Sequence, residues 1–198
     1  MVVVVGGHTR NIGKTTLAVQ IVAAFPTMHW TAMKITQYGH GVCSANGEAC
    51  DCVVADHSLA VSEERDAASG TDTSRMLAAG AHRVLWVRTQ QGQLAEAMPR
   101  VRKEMAAAEN TLVESNSVLR FVQPDVYVAV LDPASNDVKA SSVRYLDRAD
   151  ALFVPEGKSL EGWGGVPAAV LRGKPVLPLL PEGLSDAGLA WLRSRVGP

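Results

Sequence analysis

Cysteine is scarce in this 198-residue chain, and its three copies are an odd number. Such a set cannot pair off into the disulfide framework of a small secreted domain. Charge of one sign is missing too. Nineteen lysines and arginines stand against twenty aspartates and glutamates, a formal net charge of −1. No bulk field therefore draws the chain to nucleic acid or to an anionic membrane surface. Basic residues cluster only in small groups such as Arg100-Val101-Arg102-Lys103, which reads as a solvated helix face. No apolar run approaches the roughly 20 residues of a membrane helix. No basic leader precedes the valines at 2–5, so a signal peptide is not expected either. The Ser–His–Asp order and the nucleophile elbow of serine hydrolases are absent. What remains is the profile of a packed cytoplasmic protein, 47% hydrophobic and 20% charged, with a length that suits one substantial domain and is short for two.

What is present begins at once. The apolar run Val2-Val3-Val4-Val5 is followed by Gly6-Gly7-His8-Thr9-Arg10-Asn11-Ile12-Gly13-Lys14-Thr15-Thr16. A buried strand, a glycine-bracketed loop and a Gly-Lys-Thr opening a helix together make a nest for phosphate oxygens. The loop's backbone N–H groups and the positive helix end attract anions without many charged side chains. Residues 7–16 are therefore the expected phosphate cradle: Gly7, His8, Thr9, Arg10, Asn11, Ile12, Gly13, Lys14, Thr15 and Thr16. Lys14 is placed to reach the terminal phosphates of ATP or GTP and stabilise charge on the transferred phosphoryl group. The Thr15 hydroxyl is placed to ligate Mg²⁺. Five residues separate Gly7 from Gly13 where the common motif has four, and His8 takes the usual place of the first glycine.

Short β-branched runs alternate with helix-like segments along most of the chain. Strands are expected at 2–5, 29–36, 82–89, 111–114, 125–131, 151–155 and 175–180. Helices are expected at 14–25, 73–79, 94–108 and 139–148, with another opened by Ser185 near the C-terminus. Near-continuous apolar strands separated by helices imply an α/β fold: a three-layer, mostly parallel sheet with helices on both faces. Ligands in such sheets sit at the C-terminal strand ends. No internal repeat or linker divides the chain, so one domain spanning 1–198 is expected.

A Mg–nucleotide site needs carboxylates at neighbouring strand ends. Glu114 closes the run Thr111-Leu112-Val113 and is the best placed, as a metal-site and catalytic residue. The alternative is a helix-start role with a helix beginning near Asn116. Asp72 is a second Mg²⁺ candidate, and Asp51 and Asp56 are weaker ones. Asp132, before Pro133, reads as turn chemistry.

The spacing of Gly7 and Gly13-Lys14-Thr15 is the same as in the loop of dethiobiotin synthetase, an ATP-dependent P-loop enzyme. A longer stretch, 2–116, resembles molybdopterin-guanine dinucleotide biosynthesis protein B, a GTP-binding accessory protein of molybdenum-cofactor assembly. The likeness is carried by the loop through Leu17, by Met33-Lys34-Ile35, by Gly70-Thr71-Asp72-Thr73-Ser74-Arg75 with Ala79-Gly80-Ala81, and by Leu112-Val113-Glu114. The chain departs from that family at Ser115-Asn116, where a glycine is usual, and after Lys34, where a histidine-rich segment is replaced by one bearing cysteines. The resemblance implies a P-loop NTPase fold, purine nucleotide and Mg²⁺ as ligands, slow hydrolysis in the service of cofactor or metal-centre assembly, a cofactor-biosynthesis protein as partner, and a homodimer. No Asn-Lys-x-Asp guanine-reading motif is present, so ATP and GTP both stay open. A ligase or kinase of the dethiobiotin-synthetase type and a non-catalytic, nucleotide-gated metal carrier are the alternatives.

All three cysteines fall in the loop at about 37–58. His40, Cys43, Cys50 and Cys52 form a sensible four-coordinate set for Zn²⁺ or part of an iron–sulfur site. Free thiols and a reversible disulfide are the competing readings. Tyr38 and His40 are placed to touch a substrate, and Glu156 to approach the base. Glu161-Gly162-Trp163-Gly164-Gly165 is either a lid or a surface loop, and Leu189 and Trp191 are expected in the core.

Overall fold

The computed structural model describes residues 1–38 and 59–197. The valine run becomes β1 (Val2–Gly7), followed by the phosphate-loop candidate and α1 (Lys14–Ala24). Then come β2 (Trp30–Tyr38), β3 (Leu59–Glu63), α2 (Asp72–Ala78), β4 (Arg83–Gln90), α3 (Leu94–Ala107) and β5 (Asn110–Glu114). The chain continues through β6 (Val126–Val130), α4 (Ala140–Leu146), β7 (Ala151–Pro155), α5 (Ala168–Leu171), β8 (Val176–Leu179) and α6 (Asp186–Val196). The strands form one eight-stranded sheet in the order β3-β4-β2-β5-β1-β6-β7-β8. This is an α/β architecture with a mostly parallel sheet and helices on both faces, as the alternation of strands and helices implies.

Side chains alternate across β1, which explains why it can be valine throughout. Val3 and Val5 join a core with Leu17 and Ile21 of α1, Met76 of α2 and Leu192 of α6. Val4 joins the opposite core with Met98 and Val101 of α3 and Leu146 of α4. A strand covered on both faces has no polar side to show. Its position between β5 and β6 puts the loop that follows it at the centre of the rim.

Three points differ from expectation, the first of them a strand that the sequence reading does not include. β3 is an edge strand that runs antiparallel to β4, pairing Leu59 with Thr89 and Glu63 with Leu85. Its five residues are at best half-buried, so they lack the apolar run that marks the central strands. The helix expected near Asn116 is a single 3₁₀ turn, Ser117–Arg120. The helix expected from Thr73 starts at Asp72, because the Thr71 side chain accepts the Ser74 N–H as its N-cap. No helix among the described residues is long and apolar enough to cross a membrane.

Candidate functional site

The loop between β1 and α1 is held open by backbone conformations and by neighbours on both sides. Gly13 sits at φ +98° immediately before α1, and Asn11 also takes a left-handed conformation at φ +56°. Both turn the chain so that it enters the helix with the N-terminal amides unoccupied by a side-chain cap. From the β6 side, the His8 N–H donates to Val130 O (3.3 Å) and the Lys139 N–H donates to His8 O (3.0 Å). The Thr9 hydroxyl donates to Asp137 (2.5 Å). From the β5 side, Asn116 grips one peptide unit on each side of Gly7. Its Oδ1 accepts the Gly7 N–H (2.8 Å), and its Nδ2 donates to Gly7 O (2.6 Å) and to Ser142 Oγ (2.9 Å).

The asparagine that departs from the expected family pattern thus has a local task. Gly6 permits it, since a β-carbon there would stand 2.3 Å from Asn116 Oδ1. Replacing Asn116 by Ala leaves a Gly7 amide without its partner, which costs about 1–2 kcal/mol. Urea unfolding should show that loss with an unchanged m-value, and a triphosphate titration should show weakened affinity through the slackened loop.

Four charged or hydroxyl groups meet beside the loop. Glu114 is nearly buried at 5% exposure, at the end of β5. It accepts a hydrogen bond from the Thr15 hydroxyl (2.8 Å) and an ion pair from Lys34 (3.2 Å). Lys34 also bonds Asp72, which opens α2, and reaches Thr15 Oγ1 at 3.5 Å. Glu114 therefore faces the loop and the lysine, and the helix-start role is not the one it takes. The Lys14 ammonium folds back onto the Thr9 carbonyl. Burial, reinforced by the charges of Lys34 and Lys139 and opposed by Glu114, pushes the Lys14 pKa down to about 8. An additional anion brought to this partly buried ammonium would favour its charged form.

These groups line a cleft of about 660 Å³, within the size range of small-ligand sites. Its wall carries Arg10, Lys14, Lys34, Arg75 and Lys139 against Asp72 and Glu114, an excess of positive charge. Thr9, Asn11, Gly13, Thr15 and Thr16 line it as well, so most of the expected cradle converges there. Gly7, His8 and Ile12 do not reach its surface. Ile12 is packed in the core, and His8, 1% exposed, sets its ring edge-on to Trp163 at 5.1 Å between centroids. Burial lowers the His8 pKa, which favours the neutral ring. The cleft extends along the ends of β2 and β5 to Gln37, Tyr38, Gln91 and Ser117, residues that motif reading passes over apart from Tyr38. Their positions follow from strand register, which a linear motif does not carry.

Several other candidates sit elsewhere. Glu156 is exposed and outside the cleft, its N–H donating to Leu179 O. Asp132 accepts the Ala134 N–H (2.9 Å), the turn chemistry expected of it. Leu189 and Trp191 of α6 pack against the core. His40, Cys43, Cys50 and Cys52, with Asp51 and Asp56, lie outside the described residues. Among the described residues, no three His, Cys, Asp or Glu side chains cluster as a metal site.

The fold has solved counterparts. Hydrogenase maturation factor HypB from Archaeoglobus fulgidus matches with a TM-score of 0.52 at 14% identity, covering 98% of this chain and 89% of that one. HypB from Helicobacter pylori, solved in complex with nickel, matches at 0.48 and 12% over 98% of this chain and 84% of its own. The signal recognition particle 54 kDa protein from Aeropyrum pernix, in complex with GDP, matches at 0.48 and 16% over 99% of this chain and 46% of its own. No family model and no curated protein matches the sequence. The chain has the fold of the P-loop NTPases.

Proposed function

We propose that this protein binds a Mg²⁺–purine nucleoside triphosphate in the cleft behind the β1–α1 loop and hydrolyses it slowly. The observation that carries the reading is the convergence of an uncapped helix N-terminus with Arg10, Lys14, Lys34 and Lys139 on one cleft. The free backbone amides of the loop between Thr9 and Thr16 bind the phosphates, and Lys14 leaves the Thr9 carbonyl to neutralise the charge that develops on the terminal one. Thr15, Glu114 and Asp72 supply three oxygen donors within reach of one point, a set that fits a hard divalent cation. When bound, Mg²⁺ neutralises charge between the outer phosphates. Glu114 is held for that role by the Thr15 hydroxyl.

The task served is assistance in building a cofactor or metal centre, in keeping with the resemblance to molybdopterin-guanine dinucleotide biosynthesis protein B. An archaeal protein of like fold is itself named a maturation factor. The polar end of the cleft at Gln37, Tyr38 and Gln91 favours a second reading, in which an acceptor substrate receives the phosphoryl group as in dethiobiotin synthetase. Phosphate-release assays separate the two. Release from ATP or GTP alone supports hydrolysis; release that begins only on adding a carboxylate acceptor supports transfer. No release under either condition contradicts both.

The lowered pKa of Lys14 has a thermodynamic signature. A bound polyphosphate favours the charged ammonium and raises its pKa back toward the ordinary 10.5. Above pH 8 the free protein has lost this proton and the complex has it, so binding takes up a proton. Affinity should fall about fivefold from pH 8 to pH 9, where the phosphates themselves are already ionised. Calorimetry in two buffers of different ionisation enthalpy measures that uptake directly, and an affinity flat across this range would contradict the assignment.

A further inference from the structure

We propose that the Lys34 ammonium is the resident counter-ion of the divalent-metal position, so that the nucleotide-free protein keeps metal out and admits it only together with a triphosphate. The inference rests on the Mg²⁺–nucleotide reading above and adds a gate to it.

Strand pairing builds the contact. In the parallel β2–β5 ladder Lys34 stands opposite Glu114, and Val5 of β1 stands on the other side of the same glutamate. The lysine is therefore set against the carboxylate by the sheet itself, at the foot of the phosphate loop. Its Nζ lies 3.2 and 3.4 Å from the two oxygens of Glu114, bonds Oδ2 of Asp72, and reaches Thr15 Oγ1 at 3.5 Å. An ammonium has three protons to give, and here the three partners are the same three oxygen-bearing side chains that would ligate the metal. The Lys34–Glu114 pair is enclosed, at 19% and 5% exposure, so water screens it poorly, while Asp72 stands at the open side with 43% of its side chain exposed.

Two cations cannot share that point. A divalent ion entering the ligand-free site meets the Lys34 charge at contact distance and must displace it from every partner it has there. Lys14 gives the carboxylates no hydrogen bond, because its own ammonium is turned to the Thr9 carbonyl, and it acts on Glu114 and Asp72 through its charge alone. Of the two carboxylates Arg75 pairs with Asp72, through Oδ1 at 3.8 Å, while Lys34 holds Oδ2. A triphosphate changes the balance by bringing negative charge to which Lys34 can swing, which vacates the three oxygens for the metal travelling with the nucleotide.

The test uses Mn²⁺ as the probe, with electron paramagnetic resonance counting free ion in the absence of nucleotide. Lys34→Met should bind one Mn²⁺ per chain at least about tenfold more tightly than the wild type. Adding Glu114→Gln to that variant should abolish the gain. The melting temperature supplies a second readout: Mn²⁺ should raise it for Lys34→Met and leave the wild type nearly unmoved. If Lys34→Met fails to fold, Lys34→Gln keeps a hydrogen-bond donor for the carboxylates without the charge and carries the same expectation. Equal Mn²⁺ affinity in wild type and variant overturns the gate. A parallel titration of wild type with ATP and GTP keeps the two ideas apart, since retained triphosphate binding with no Mn²⁺ gain removes the gate alone. Lost triphosphate binding instead removes the reading it rests on.

Discussion

Lys14→Met should weaken triphosphate binding by about a hundredfold or more, a loss of roughly 3 kcal/mol, while raising the melting temperature of the ligand-free protein by a few degrees. The two effects share one cause. Burial and neighbouring cations hold the pKa of Lys14 at about 8, down from an ordinary 10.5, so the charged lysine is a burden on the empty fold. The folded state binds this proton less well than the unfolded chain does. The lysine's cost is therefore present in full below about pH 8 and fades as pH rises toward 10.5. A methionine keeps most of the apolar stem and removes the charge, which relieves up to about 3 kcal/mol at neutral pH. The hydrogen bond to the Thr9 carbonyl is lost in exchange, so the net gain is smaller. Thermal unfolding at pH 7 and pH 10 measures the difference. A gain at pH 7 that disappears at pH 10 supports the account, and a loss at pH 7 contradicts it.

Gly7→Ala should be strongly damaging. Gly7 pairs with Val130 in the β1–β6 ladder, and a β-carbon on it would stand 2.8 Å from the Val130 carbonyl oxygen and 2.9 Å from Ile12 Cδ1. The first neighbour is backbone and cannot rotate away. Either β1 parts from β6 or the loop shifts, and the Asn116 bonds to Gly7 stretch with it. Overpacking of this kind costs about 1–3 kcal/mol, and displaced amides lose the phosphate as well. Gly183→Ala is the control, since a β-carbon there meets nothing within 4 Å. Urea denaturation of both variants, beside a nucleotide titration, should show a large loss for the first and little for the second.

The central strands are legible in the sequence because they are covered on both faces. Val2–Val5, Leu112-Val113 and 126–131 have no polar alternation to obscure them, and each is followed by glycine, a carboxylate or a turn residue. The edge strand Leu59–Glu63 is not legible, since half-burial on an antiparallel edge leaves no apolar run. Glu114 and Lys14 stand out as motif residues at a strand end and a helix start. Lys34 enters only through resemblance, and its pairing with Glu114 is set by the β2–β5 register, which no local pattern encodes. Asn116 looks like a departure from a family pattern until Gly7 is placed against it in space. The clamp links residues 109 positions apart, a separation at which local chemistry is silent.

The most direct test of the whole account is a calorimetric titration of the protein with ATP and with GTP in the presence of Mg²⁺. One saturable site for at least one of them is predicted, lost in Lys14→Met. Well-folded protein that gives no heat with either triphosphate, or Lys14→Met that binds as the wild type does, would contradict it.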